Sequence, residues 1–261
     1  MKISVQRFKA DGASADAVIV FLAKDKSAQQ ETIAWIGASW EGTSAPFSAG
    51  DITGAADQIS VLYTGSRKTP RLIVAGIGDS TGLTTERLRR AAALAIQRAT
   101  TLKCQRVACV VRPLPLSAEQ SSQAIVEGML LGNYSFDKYL TEKKPEDRKK
   151  VEQIVILADS DDLTAVRRGT ATGEGVSNGV TLARDLANAP SNELDPETLA
   201  TRCKELSKLG VKVTVLNKAQ ITRLGMGGLL AVNQGSVRPP YFVIMEWNKG
   251  KKGEAPIVLV G

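Results

Sequence analysis

The chemistry open to this chain is limited by the absence of histidine from all 261 residues. Ser-His-Asp catalysis, Cys-His catalysis and His-ligated metal sites are therefore excluded within the chain. Hydrolytic chemistry would have to depend on carboxylates, lysines or oxygen-ligated metal ions. The three cysteines, Cys104, Cys109 and Cys203, form no Cys-x-x-Cys pair, so neither a disulfide framework nor a thiolate zinc site is indicated. We expect three reduced thiols in a cytosolic protein.

A glycine-rich loop follows the strand-like segment 71–75. Gly76, Gly78 and Gly82 give the spacing G-x-G-x-x-x-G, which differs from the G-x-G-x-x-G of dinucleotide-binding folds. No acidic residue ends a second strand about 20 residues further on, where that fold would need one. We therefore interpret the glycines as a tight turn between a strand and a helix, and cofactor binding is the alternative.

Three other segments are more informative when taken together. They are EGMLLGNYSFDKY at 127–139, ARDLANAPSNEL at 183–194 and LGMGGLLAVNQGSVRPP at 224–240. In this order and spacing they resemble the cytosol (leucyl) aminopeptidase family. That family shows E-G-x-x-L-G-x-Y-x-F-D-x-Y in its first domain, A-R-D-L-x-N-x-P-x-N at the domain junction and L-G-M-G-x-L-L-A-V-x-x-G-S-x-x-P-P soon after. The matches cover 127–261 closely, and 1–126 agree mainly in pattern.

The resemblance implies a fold, an activity and an assembly. It implies a small N-terminal α/β domain similar to a macro domain, then a catalytic domain that holds two divalent metal ions, manganese, zinc or magnesium. Such enzymes are cytoplasmic homohexamers, built as a dimer of trimers, and remove N-terminal residues, often leucine, from peptides. Aspartates, a glutamate and a lysine hold their metals, so the chemistry needs no histidine.

The family's metal-binding and catalytic motifs are missing from this sequence. They have the forms G-K-G-x-T-F-D-x-G-G and N-T-D-A-E-G-R, and neither occurs in residues 1–261. The segment 256–261 resembles the strand that leads into the first of them, and the family's metal-ligating lysine would be the next residue. We therefore assign no catalytic, cofactor-binding or metal-binding residue, and expect the chain alone to bind no metal and to be inactive.

Three explanations remain open for a sequence that ends before these motifs: a longer enzyme, an enzyme split over two chains, or a truncated product with a non-catalytic role.

The alternatives to a peptidase role are a binding or regulatory module, with DNA binding as in some relatives, and a purely architectural part of the hexamer. The formal net charge of +7 would suit an anionic partner such as nucleic acid. Its basic residues are scattered in sequence, however, and 142–150 mixes both signs, which is typical of a solvated surface.

Hydrophobic runs and breaker residues predict alternating strands and helices, hence an α/β fold. The family resemblance implies that the N-terminal domain is a macro-domain-like, three-layer α/β/α domain. Strands are predicted at 18–22, 58–63, 71–75, 107–111, 151–158, 211–216, 229–232, 241–247 and 257–260, and helices from 27, at 85–101, 117–131, 162–187, 196–209 and 218–224, with loop and short strands at 39–56. We place the N-terminal domain at 1–165, a linking helix and junction at 166–192, and an incomplete catalytic domain at 193–261. No run of about 18 apolar residues predicts a membrane span.

Overall fold

The computed structural model describes residues 1–8, 14–142, 150–251 and 253–261. It separates into two compact units, Met1–Arg184 and Asp185–Gly261. The domain boundaries placed at 165 and 192 from the sequence remain a prediction. No helix in the described part of the chain is both long enough and apolar enough to cross a membrane.

The first unit is built on a six-stranded sheet in the order β1-β6-β5-β2-β4-β3. All neighbouring strands are parallel except β3, which pairs antiparallel with β4. The strands are β1 Lys2–Arg7, β2 Ala17–Ala23, β3 Ile59–Tyr63, β4 Arg71–Gly78, β5 Arg106–Val110 and β6 Gln153–Ala158. Strands β2 and β4 consist almost entirely of buried residues, as expected for strands that are covered on both faces.

Helices cover both faces of this sheet. They are α1 Lys26–Ser39, α2 Ala45–Ser48, α3 Thr85–Thr101, α4 Ala118–Gly132 and α5 Leu163–Asn188. Alternate residues of the strands face two separate cores, one shared with α3, α4 and α5 and the other with α1 and Phe47 of α2. The predicted α/β class with a three-layer first domain is therefore confirmed.

The second unit holds shorter elements. They are α6 Pro196–Glu205, a 3-10 turn Leu206–Leu209, β7 Lys212–Leu216, α7 Lys218–Arg223, α8 Gly227–Asn233 and β8 Phe242–Glu246. Strands β7 and β8 form a two-stranded antiparallel sheet. Its exposed side chains include Phe242, Ile244 and Met245, so much of the apolar surface of β8 stays uncovered by the described residues.

Several local predictions are confirmed by the termini of the helices. The Thr84 side chain accepts a hydrogen bond from the Arg87 amide at the start of α3, and Asp195 does the same for Thr198 at the start of α6. Gly210 ends the 3-10 turn after α6 with φ +90, the left-handed geometry that glycine adopts without strain.

Three predicted segments differ from the structure. Residues 229–232 lie in α8 instead of a strand, because a four-residue apolar run fits either element and Leu230 donates its amide to the Met226 carbonyl, four residues back. Residues 257–260 form no strand, since no described segment pairs with them, and all four are more than 70% exposed. The stretch 39–56 contains α2 and no strand. Most of 142–150 lies outside the described residues.

Close helix packing explains the glycines of α4 and half of those of α5. A Cβ added to Gly128 would overlap the Arg89 carbonyl oxygen of α3, and one on Gly132 would meet Ala93 at 2.8 Å. In α5, Gly169 is pressed against the Glu119 carbonyl of α4 in the same way. By contrast, Gly175 faces open space, so the packing inferred from the sequence holds for only part of that helix.

These contacts predict opposite effects for two helical Gly→Ala substitutions. We expect G128A to lower the free energy of unfolding by about 1–3 kcal/mol, because the new methyl group must displace backbone of α3. The matched control G175A should raise that free energy by up to about 1 kcal/mol, since alanine favours helix and meets no neighbour there. Urea unfolding followed by circular dichroism measures both. Equal effects would show that the α3–α4 contact is looser than described.

Candidate functional site

The first segment, 127–139, has its carboxylate inside a helix–helix contact. Glu127 of α4 accepts hydrogen bonds from Arg89 Nε at 2.7 Å and from Gln123 Nε2 at 2.8 Å, and its side chain is 5% exposed. Glu86 also pairs with Arg89 from the preceding turn of α3. Removing one partner of such a buried pair would leave an uncompensated charge. Glu127 therefore holds α3 and α4 together.

The rest of this segment anchors the end of α4 against the strand layer. The Asn133 side chain donates to the Val151 carbonyl at 2.9 Å and accepts from the Val151 amide at 3.2 Å. Its amide group thus makes the pair of hydrogen bonds that a backbone residue of a neighbouring strand would make. Phe136 and Tyr139 contact each other with ring centroids 5.7 Å apart, and Asp137 pairs with Lys150 at 3.4 Å. These are packing contacts, as interpreted from the sequence.

The first two glycines of the predicted loop lie in strand β4, which extends to Gly78. The Gly76 amide donates to the Gln58 carbonyl at 2.8 Å, and the Gly78 amide donates to the Gly54 carbonyl at 2.9 Å. A Cβ on Gly76 would overlap the Ala55 carbonyl, and Gly78 has φ +71, so both positions need glycine for steric reasons. Gly76 and Gly78 therefore belong to the end of β4 and not to a turn, and the turn before α3 is a 3-10 helix at Ser80–Gly82, which holds only the third glycine.

The second and third segments meet at one carboxylate within the second unit. Asp195, directly after the second segment, pairs with Arg238 of the third at 3.2 Å while it caps α6. The Arg238 carbonyl in turn accepts from Asn233 Nδ2 at 2.9 Å, which ties the loop after α8 to that helix. We name this set, Asp195, Asn233 and Arg238, the junction clamp.

The electrostatics of the clamp favour an ionised Asp195. Its pKa lies below the ordinary value of 3.8, first because the Thr198 amide donates to the carboxylate and to a smaller extent because Arg238 lies beside it. Asp195 is one of the residues that line an open, largely apolar depression, together with Leu194, Pro196, Leu199, Tyr241 and Val243. Since the carboxylate is already engaged, this depression offers apolar contact more than acid–base chemistry.

The described residues do not fit a metal centre by themselves. Within residues 1–8, 14–142, 150–251 and 253–261, no three His, Cys, Asp or Glu side chains come together closely enough to hold an ion. The carboxylates singled out above are already paired, Glu127 with Arg89 and Asp195 with Arg238. Sequence reasoning missed these two pairs because nothing in local spacing connects residues 38 or 43 positions apart.

The junction clamp predicts a pH dependence of stability. A group with a lowered folded-state pKa contributes stability that is present above its unfolded value, near 3.8, and is lost as pH falls through the folded value. We expect D195N to flatten the pH dependence of thermal unfolding in this acid range. In R238Q, the Asp195 carboxyl should keep most of its lowered pKa in a carbon-detected NMR titration, because the Thr198 amide remains. A return to the ordinary pKa in R238Q would show that the ion pair dominates.

Comparison with protein families identifies matches along most of the chain. The model of the cytosol aminopeptidase family, N-terminal domain, matches residues 14–143, and the model of the same family's catalytic domain matches residues 181–261. A probable cytosol aminopeptidase of Roseiflexus castenholzii is 38% identical over 234 residues, covering 85% of this chain and 47% of that protein. One from Methylobacterium radiotolerans is 46% identical over 159 residues, covering 60% and 31%. The chain thus spans less than half the length of these relatives.

Solved structures show the same fold. A tomato leucine aminopeptidase variant superposes with a TM-score of 0.74 at 23% identity, covering 93% of this chain and 50% of that one. The bottromycin maturation enzyme BotP, solved in complex with Mn, gives a TM-score of 0.68 at 25% identity, covering 88% and 45%. From the two domain models and the relatives we conclude that this chain belongs to the cytosol aminopeptidase family and carries its N-terminal part.

Proposed function

We propose that this chain supplies the N-terminal and pre-catalytic part of a metal-dependent leucyl-type aminopeptidase, which removes N-terminal residues from peptides in the cytoplasm. The observation that carries the proposal is the match of the family's catalytic domain to residues 181–261, the region where the junction clamp joins the second and third segments. The names of the relatives, all probable cytosol aminopeptidases, support the same reaction.

The metal ions of this proposal belong to a part of the enzyme that these 261 residues do not contain. The family's metal-binding motifs are missing from the sequence, and the described residues do not fit a metal centre. Two divalent ions would supply Lewis-acid polarisation of the scissile carbonyl and an activated water. Manganese is supported by its presence with BotP, and zinc and magnesium are the alternatives that the family resemblance implies.

The role of this chain's own residues is then to hold the helices and loops of each unit in place. In the second unit, Asp195 fixes the loop 234–240 to the first turn of α6 through Arg238, and that loop leads directly into β8. In the first unit, the Arg89–Glu127 pair and the glycines of α4 keep α3 and α4 in close contact. We also propose assembly as a homohexamer, a dimer of trimers, which light scattering of the longer enzyme would test.

The proposal predicts no peptidase activity for residues 1–261 alone. With leucine p-nitroanilide and Mn²⁺, we expect the same rate as in a heat-denatured control, because the family's metal-binding motifs are missing and no cluster of described residues fits a metal ion. A reading frame that continues after Gly261 with lysine and the aspartate-containing glycine motif should show hydrolysis that EDTA abolishes. Release of nitroaniline by the 261-residue chain, in proportion to its concentration and sensitive to EDTA, would contradict the assignment of the chemistry to the missing motifs.

A further inference from the structure

Three charged side chains lie around a tryptophan ring on the α1 side of the sheet in the first unit. The guanidinium group of Arg112 lies over the Trp35 ring, with its Cζ 4.8 Å from the ring centroid. Glu31 comes four residues before Trp35 in α1, which puts both on the same side of that helix. Arg112 and Asp159 each come two residues or fewer after a strand, β5 and β6 respectively. One cation and two carboxylates thus meet at the ends of two parallel strands.

The register of the sheet explains why these residues meet although they are distant in sequence. Val110 of β5 is the partner of Leu157 of β6, and both belong to the core that α1 covers. Side chains alternate between the two faces of a sheet, so Arg112 and Asp159, two residues further on, come out on this same face. Neighbouring strands lie about 4.8 Å apart, which brings the two charges side by side.

Two further aromatic rings form an apolar surface around Trp35. The ring centroid of Phe8 lies 5.2 Å from that of Trp35, and the ring of Trp40 lies 5.5 Å away on edge. Trp40 is buried, whereas Phe8 and Trp35 are half-buried and expose apolar surface beside Arg112. The Phe8 amide fixes that ring in place by donating to the Ala158 carbonyl at 2.8 Å. We name the following set the tryptophan site: Phe8, Glu31, Trp35, Arg112 and Asp159.

The three charges of this site do not neutralise each other by direct contact. No ion pair between described residues includes Arg112, Glu31 or Asp159. Burial lowers the pKa of Arg112, and the charges of Asp159 and Glu31 oppose this effect from a greater distance. The stacking contact uses the flat face of the guanidinium group, and its N–H edge has no acceptor among the described residues. The site therefore offers a free donor edge and two free carboxylates next to an apolar surface.

Other charges at this end of the sheet have both signs. Arg7 ends β1 and Lys24 follows β2, whereas Asp161 and Asp162 come shortly after β6. A ligand with several negative charges, such as a nucleotide, would be repelled by the two carboxylates of the tryptophan site, and a simple cation would be repelled by its guanidinium group. A small ligand that carries one charge of each sign matches the site better than either.

We propose that the tryptophan site binds a free α-amino acid with an apolar side chain. The ligand's carboxylate pairs with the planar donor edge of Arg112, and its ammonium group lies toward Asp159 and Glu31. Its side chain rests on the exposed surface of Phe8 and Trp35.

This inference deepens the proposed function, because apolar amino acids are the products that the proposed peptidase would release. Only the meaning of the site as a sensor of product rests on that function. Binding itself is measured without turnover, so failure to bind an amino acid and failure of the peptidase assignment are distinguishable.

Tryptophan fluorescence of the full 261-residue chain with L-leucine tests the proposal. Trp247 belongs to the second unit, so a W247F background leaves Trp35 and Trp40 as the emitters. We expect a saturable change between about 0.1 and 10 mM leucine, the affinity that one charge-assisted pair and a small apolar contact would give. Absence of a saturable change up to about 50 mM would overturn the proposal.

Two leucine analogues test the charge requirement in the same protein. Leucinamide lacks the carboxylate, and 4-methylpentanoate lacks the ammonium group. Each should bind at least about tenfold more weakly than leucine, because a charged group of the site loses its partner. Equal responses to leucine and to either analogue would contradict the zwitterionic ligand.

Variants identify the residues that hold the ligand. R112Q should weaken leucine binding at least about tenfold and remove the preference for leucine over leucinamide. The matched control R98Q removes an exposed arginine of α3, on the other face of the sheet, and should leave affinity unchanged. The exposed pair of changes E31Q and D159N, made together, should weaken leucine binding and leave that of 4-methylpentanoate unchanged. Equal weakening by R112Q and R98Q, or full leucine affinity after both carboxylates are removed, would overturn the assignment.

Discussion

The close approach of α3 and α4 is the constraint on which the first unit depends. Helix α3 connects β4 to β5 and α4 leads from β5 toward β6, so the two helices together determine how three parallel strands are placed. Their contact is possible only because Gly128 and Gly132 have no side chain where α3 passes. The buried Arg89–Glu127 pair then fixes which turns face each other, since a shift by one turn would separate the charges.

Much of this architecture follows from the sequence alone, for reasons that differ between elements. Helix α3 was predicted at its observed bounds because Thr84 is a strong N-cap and the pattern that follows is regular. Segment 229–232 was predicted wrongly because Leu-Leu-Ala-Val fits strand and helix equally well over so few residues. Strand β1 was not predicted at all, because Lys2–Arg7 contains no fully buried residue and only two apolar ones, and it is defined by its pairing with β6.

The candidate sites were harder to predict, because they depend on contacts that are distant in sequence. The motifs around Glu127 and Asp195 identified the family, but spacing could not show that Arg89 or Arg238 would neutralise these acids.

The Asn133 contact has a consequence for the chemical ageing of the protein. Its amide must both donate to the Val151 carbonyl and accept from the Val151 amide, so neither end of the group is interchangeable. Hydrolysis of that amide to a carboxylate, the common fate of asparagine over time, would replace the donor with an oxygen facing the Val151 carbonyl oxygen. Loss of the amide nitrogen would then replace the hydrogen bond to the Val151 carbonyl with a repulsive oxygen–oxygen contact, where the end of α4 meets the segment that enters β6. Deamidation of Asn133 would therefore weaken the attachment of α4 to the segment that enters β6.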